Sequence, residues 1–215
     1  MAEAAAERPR GDAGAGVETQ RAESWAHLHE LLFEGAWRPA LRRYRSQHAF
    51  RGVNDRDCDT LRTSLARLGG DYVAMEGHLL RNFEKYAQQD SVEQDSVWNW
   101  LALAKHYGLP TRLLDWSFSP YVALHFATDD LERFDRDGVV WAADYHGVQA
   151  YLPDRLRGVL DEEGADVFTA RMLLRAASSL HELEELAGEP FVLFFEPPSL
   201  DNRIVNQYAL FSLMS

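Results

Sequence analysis

Three short segments hold the side chains that could do chemistry. The first is His48-Ala49-Phe50-Arg51-Gly52. An arginine at the end of an apolar strand is costly unless its guanidinium has a partner. The planar fork suits a phosphate or a carboxylate, so Arg51 meets either a ligand or a structural acid such as Asp115. Gly52 lets the backbone turn or lets a ligand approach closely. The second segment runs from His106 and Tyr107 through Thr111, Arg112 and Asp115 to Trp116 and Ser117. It sets an imidazole, a phenol, a guanidinium, a carboxylate, an indole and hydroxyls in a polar loop between two apolar helices. Such a loop carries either function or a dense internal network. The rings of Tyr107 and Trp116 can stack on a base or a nicotinamide, and the structural alternative is an Arg112–Asp115 ion pair that pins the loop. The third segment spans Asn202 to Ala209. There the amide of Gln207 can hold a ribose or another amide through both of its functions, or serve a turn or a cap.

The elements that must position these residues are readable from periodicity and punctuation. Ser24 caps a helix bearing Trp25, Leu28, Leu31 and Leu32, which Gly35 and Pro39 end. A short strand is predicted over 49–53. A helix follows over 72–87, with Val73, Glu76, Leu79, Leu80 and Phe83 as its stripe. The next helix, over 92–107, places Trp98, Leu101 and Ala102 on one face with Lys105 a turn later, and stops at Gly108 and Pro110. Ser119-Pro120 opens another helix, apolar enough to be buried. Trp98, Leu101, Leu124 and Phe126 are therefore expected in the core. Strands are predicted over 139–145, 191–195 and 209–214, with helices over 153–160 and 165–187. Helices first and strands mostly later give an α+β fold, helices packed on a mainly antiparallel sheet. Residues 1–22 lack an apolar period and read as a disordered tail before a folded part over 23–215.

The formal charge of −12 sets an average field that repels duplex DNA. Arg42, Arg43 and Arg45 form a local basic cluster able to hold a phosphate or a nucleotide. The acidic runs Asp161-Glu162-Glu163 and Glu182 to Glu185 read as solvated helix faces. With one cysteine, Cys58, no internal disulfide can form, and the absence of a neighbouring histidine argues against a thiol nucleophile. No stretch is apolar over the length of a membrane span, and the N-terminal residues lack the apolar core of a signal peptide. A cytoplasmic protein is expected. There is no phosphate-binding G-x-x-x-x-G-K-[ST], no G-x-G-x-x-G, no H-E-x-x-H and no G-x-S-x-G, so nucleotide, metal and serine-hydrolase signatures of those kinds are excluded and no metal is expected.

Phe50-Arg51-Gly52, the stretch HYGLPTRLLDW over 106–116, SPYVALHFA over 119–127 and the segment from Arg203 to Phe211 together resemble the FRG domain family over about 24–214. A second resemblance is to mono-ADP-ribosyltransferases of the Arg-Ser-Glu type. These open with an aromatic-Arg-Gly strand, continue with a Ser-Thr-Ser strand leading into a helix of the form SPxVALxFA, and close with a strand starting at a glutamate. Asp115-Trp116-Ser117 falls where Ser-Thr-Ser would be, and Gln207 where the glutamate would be. The resemblance implies an ADP-ribosyltransferase-like fold and an NAD-dependent ADP-ribosyltransferase-like enzyme, acting as a toxin or defence effector, with NAD as substrate. It assigns catalysis to Arg51, Asp115 and Gln207, and nucleotide binding to Phe50, Arg51, Gly52, His106, Tyr107, Thr111, Arg112, Trp116 and Ser117. The acceptor would be a protein or a nucleic acid. A neutral glutamine cannot supply the negative charge of a glutamate, so Asp115 is the residue left to supply it. The rival reading is a non-catalytic nucleotide- or protein-sensing module using the same pocket. A third is a nuclease-like toxin with His106 as base, which the acidic charge disfavours.

Overall fold

The structure, a computed structural model, describes residues 17–56, 61–87, 95–199 and 206–215. Cys58, Arg203 and most of the tail expected over 1–22 lie outside the described residues. The chain divides into two compact units, Met1–Arg45 and Ser46–Ser215.

In the first unit, helix α1 (Trp25–Leu32) begins at Ser24, whose hydroxyl accepts from the His27 backbone N–H as the sequence predicts. A two-stranded antiparallel ribbon follows, β1 (Trp37–Arg38) and β2 (Arg43–Tyr44), with Trp37 opposite Tyr44 and Arg38 opposite Arg43. Sequence periodicity cannot reveal strands this short.

The second unit is built on a six-stranded mixed sheet, in the order β5 (Val139–Asp144), β3 (His48–Val53), β4 (Leu113–Ser117), β8 (Ala209–Met214), β7 (Val192–Glu196), β6 (Phe168–Thr169). All neighbours pair antiparallel except β6 with β7, which are parallel. The helices are α2 (Ser64–Leu68), α3 (Tyr72–Tyr86), α4 (Val97–His106), α5 (Pro120–Thr128), α6 (Asp154–Glu163), α7 (Ala170–Ala176) and α8 (Leu180–Glu184). Helices and a mainly antiparallel sheet give the expected α+β class.

The sheet is apolar on both faces. Leu113, Leu193, Phe195, Phe211 and Leu213 face the larger core, with Trp98 and Leu101 of α4, Leu156 and Leu160 of α6, and Leu173 of α7. Ala49, Leu114, Trp116, Phe194, Leu210 and Tyr145 form a smaller cluster on the other face. This strict alternation along β4 and β8 follows from the period of two in a strand.

Three expectations are corrected. First, the segment ending at Ser117 is not a loop throughout: Leu113–Ser117 is strand β4, paired with β8 along its whole length. Second, 165–187 is not one helix. Thr169 and Ser179 each cap a new helix, and Ala177 between them is extended, its carbonyl accepting from Trp98 Nε1 at 2.8 Å. Third, the run Glu182 to Glu185 is not simply solvated, whereas Asp161-Glu162-Glu163 is exposed as expected. Glu184 bonds Arg112 at 2.7 Å, and Glu162 and Glu163 both pair with Arg175. Glu182 accepts from the Ser178 backbone N–H and hydroxyl at 2.8 Å each, and these bonds, with Arg155 beside them, hold its carboxyl below the ordinary range. Trp98 and Leu101 are fully buried as expected, whereas Leu124 and Phe126 are half-buried because α5 is a cover over one end of the sheet.

Candidate functional site

The site forms where two strands part. Strand β3 pairs fully with β5 on one side, but its described pairing with β4 is Phe50 opposite Ser117 alone. Beyond that pair the two strands diverge, and a cleft of about 610 Å³ opens over the gap. Its floor is strand β3 from Phe50 to Val53, Asp115, Trp116 and Ser117 of β4, and Ala209 and Phe211 of β8. Lys105 and His106 at the end of α4, together with Gly108, form one wall. Val122, Ala123 and Phe126 of α5 form the other, and Asn54, Asp129 and Gln207 complete the rim.

Alternation puts Phe50, Gly52, Asp115 and Ser117 on the cleft face and Arg51 on the opposite one. Arg51 nonetheless reaches the cleft through the gap. Its Nη1 donates to the backbone carbonyl of Asp115 at 2.9 Å and lies 3.9 Å from the Asp115 Oδ2. The Asp115 carboxylate makes its closest contact with Lys105, whose Nζ is 2.8 Å from Oδ2. Asp115 is thus an exposed carboxylate flanked by two mostly covered cations: its side chain is 56% exposed, against 14% for Lys105 and 22% for Arg51. Of these, Lys105 carries no motif; the available signal is a single cation near the end of an otherwise apolar helix.

Gln207 sits in the turn before β8. Its backbone carbonyl accepts from the Ser117 hydroxyl at 2.6 Å, and the next residue, Tyr208, has a left-handed φ of +48°. The Ser117 oxygen also accepts from the Ser119 backbone N–H at 3.0 Å, so one hydroxyl ties β4, the start of α5 and the Gln207 turn together.

Gly52 serves a different contact from the ligand approach suggested by sequence. A Cβ there would lie 2.7 Å from the Ala123 carbonyl carbon and 2.8 Å from the Ala127 nitrogen, and nearer still to the Ala123 oxygen. The glycine lets α5 settle onto β3.

Of the remaining sequence candidates, Trp116 lines the cleft floor but keeps its indole in the core, and Tyr107, Thr111 and Arg112 are not among the lining residues. The Trp116 indole is buried in the smaller cluster, its Nε1 donating to Ser212 Oγ at 2.9 Å and its ring edge-on to Phe194. Tyr107 is exposed outside the cleft lining, beside Phe83 and His106. Thr111 is buried, its N–H donating to Ser64 Oγ and its Oγ1 accepting from the Leu113 N–H, both at 3.3 Å.

Arg112 is also buried, and its partners are Glu76 and Glu184 rather than Asp115. The Arg112 N–H donates to Glu76 Oε1 at 2.7 Å, its Nε to Glu76 Oε2, and its Nη1 to Glu184 at 2.7 Å. Burial works against the charged guanidinium, and the two carboxylates outweigh it, raising its pKa above the ordinary value. This network ties α3 and α8 to Arg112, the residue just before β4. Among the described residues no group of three or more His, Cys, Asp or Glu side chains is gathered as metal ligands. No helix among them is long and apolar enough to cross a membrane.

Residues 46–136 match the family model of the FRG domain. The match spans β3, α4, β4 and α5, and so includes Arg51, Lys105 and Asp115. The matched segment therefore includes both strands of the split between β3 and β4, while Gln207 and β8 close the cleft from outside it. No curated protein and no solved structure matches the chain.

Proposed function

We propose that the cleft binds NAD as a substrate and that the protein is an ADP-ribosyltransferase-like enzyme on a fold of that kind. The observation that carries this reading is the convergence of Arg51, Asp115 and Gln207, from the adjacent strands β3 and β4 and the turn entering β8, on one cleft. Arg51 is the anchor for the pyrophosphate or the ribose, since it lines the cleft and its guanidinium offers a planar fork of donors suited to such oxygens. The Gln207 amide pairs with ribose hydroxyls. The apolar wall of Phe50, Val122 and Phe126 receives the flat nicotinamide.

In the reaction the bond between ribose C1′ and the nicotinamide nitrogen breaks, and its electron pair leaves with nicotinamide. The acceptor then bonds to C1′ and gives up its proton. Asp115 supplies the negative charge that faces such a developing cation. A toxin or defence role, with a protein or a nucleic acid as acceptor, belongs to the same reading.

One contact favours the second reading, a nucleotide-sensing module without turnover: Lys105 occupies the Asp115 carboxylate at 2.8 Å. The test is nicotinamide release and NAD affinity measured side by side on the wild type and on Gln207→Glu. The substitution keeps the shape and adds a charge. Release by the wild type, rising tenfold or more in the variant, supports the transferase; tenfold requires about 1.4 kcal/mol of transition-state stabilisation. Saturable NAD binding without release in either protein supports the sensor. Absence of both binding and release refutes the assignment of NAD to this cleft.

A further inference from the structure

The basic cluster of the first unit plays no part in the cleft, and its geometry points to a partner of its own. From Gly35 to Asn54 the sequence has no acidic residue, although the chain as a whole carries −12. Within that stretch the ribbon of β1 and β2 and its turn carry Arg38, Arg42 and Arg43, and Arg45 follows directly. Arg38 and Arg43 stand directly opposite each other across the ribbon, so two cations share one side of the strand pair. Arg42 takes a left-handed backbone, with φ of +50°, to turn the chain between the two strands.

The same unit carries aromatic rings in a continuous series, exposed at Trp25, Trp37 and Tyr44 and half-buried at His29 and Phe33. Trp25 contacts His29 at 4.6 Å between ring centres, His29 contacts Phe33 at 6.3 Å, Phe33 contacts Tyr44 at 5.9 Å, and Tyr44 contacts Trp37 at 5.1 Å. Trp25, Trp37 and Tyr44 are 63%, 48% and 65% exposed. Arginines beside exposed rings match a partner that is anionic along its backbone and flat in its side groups.

We infer that this unit binds single-stranded nucleic acid, with bases stacking on Trp37 and Tyr44 and phosphates meeting the arginines. Stacking platforms flanked by cations suit single strands because every base has a π-face. An acidic peptide would engage the arginines without using the rings. An anionic membrane would call for a broad aliphatic face, and in the ribbon and its turn the one large exposed aliphatic side chain is Leu41. The inference is independent of the cleft and stands whether or not NAD binds there.

The experiment uses the full chain and a labelled oligothymidylate of about twenty residues, followed by fluorescence anisotropy across a salt series, with site sizes of several nucleotides in view. Saturable binding at about 50 mM salt is expected, weakening as salt rises. The double variant Arg42→Gln, Arg43→Gln should flatten the log K against log salt slope by about 1.4, since each single-strand phosphate contact contributes roughly 0.7. Trp37→Ala should weaken binding roughly 5- to 150-fold, the equivalent of about 1–3 kcal/mol for one stacked base, while Trp37→Phe should retain most of it. Circular dichroism on each variant separates loss of binding from loss of folding. The inference is overturned if the oligothymidylate does not bind, if the arginine variant keeps the wild-type slope, or if Trp37→Phe loses as much as Trp37→Ala. Tighter binding to polyglutamate, or to phosphatidylcholine vesicles containing phosphatidylserine, also overturns it.

Discussion

Gly52→Ala adds one carbon to the molecule, and the structure says where it must go. The new Cβ would stand 2.7 Å from the carbonyl carbon of Ala123 and 2.8 Å from the nitrogen of Ala127, both in the backbone of α5. Carbon atoms settle at about 3.5 Å or more, so the helix or the strand must move by at least about 0.8 Å. The neighbour is helix backbone and cannot rotate away as a side chain would. Inserting a carbon into a packed core costs typically 1–3 kcal/mol and sometimes more; rigid backbone on both sides places this case at the upper end, about 3 kcal/mol. For a domain of this size each kcal/mol moves Tm by roughly 2–4 °C, so a fall of about 6–12 °C is expected. Urea denaturation gives the free energy and a thermal melt followed by circular dichroism gives Tm. A Gly52→Ala protein within about 0.5 kcal/mol of wild type, the range of ordinary surface changes, would refute the close-packing role. If that protein instead lost ligand binding while keeping its stability, Gly52 would be a ligand-approach glycine.

Other perturbations read other parts of the same architecture. Glu76→Gln leaves the buried Arg112 guanidinium with Glu184 as its remaining carboxylate partner, and breaking a buried pair from one side should cost about 3–5 kcal/mol in a urea titration. Trp116→Phe removes the Nε1 bond to the buried Ser212 hydroxyl and should cost roughly 1–3 kcal/mol; because the indole packs in the core, NAD affinity measured by calorimetry should stay within about twofold, or about 0.4 kcal/mol. Arg51→Lys keeps the charge but loses the fork that spans the gap to Asp115, so ligand binding should fall while the charge balance is unchanged; wild-type affinity in the lysine variant would show that a point charge is enough.

The parts of the fold legible in the sequence are those whose information is local. Strand β8 ends where the apolar run ends, and α4 stops at Gly108, which takes a left-handed φ of +82°. Strand β4 was hidden because a charged residue, Asp115, sits at its centre; its exposure on the cleft face breaks the apolar run that marks a buried strand. Glu76 shares a stripe with Leu79, Leu80 and Phe83, and nothing on its own helix reveals that it serves an arginine far along the chain at 112. Glu184 is likewise indistinguishable from its neighbours in sequence until the fold brings α8 to Arg112. Local patterns thus disclosed Arg51 and Asp115, whereas Lys105 and the supporting carboxylates emerge only from tertiary pairing.

Phe50-Arg51-Gly52 works as one device because a strand alternates. Phe50 and Gly52 face the helix side, where Phe50 lines the cleft floor and Gly52 admits α5. A second small residue repeats the contact: a Cβ at Gly138, beside the start of β5, would lie 2.6 Å from the Ala127 oxygen. Ala123 and Ala127 are one turn apart on the same face of α5, so the two glycines fix both the height and the register of the helix over the sheet. That register puts Val122 and Phe126 along the cleft as its apolar wall. Arg51, between the two inward-facing residues, must start on the far face, and it reaches the Asp115 carbonyl because β3 and β4 have already separated. A paired β4 would leave no gap to cross, and a larger residue at 52 would lift the helix that walls the gap. The close approach of α5 and the reach of Arg51 are therefore coupled through the backbone of β3. Lifting α5 should loosen the Arg51–Asp115 contact even though neither residue is altered.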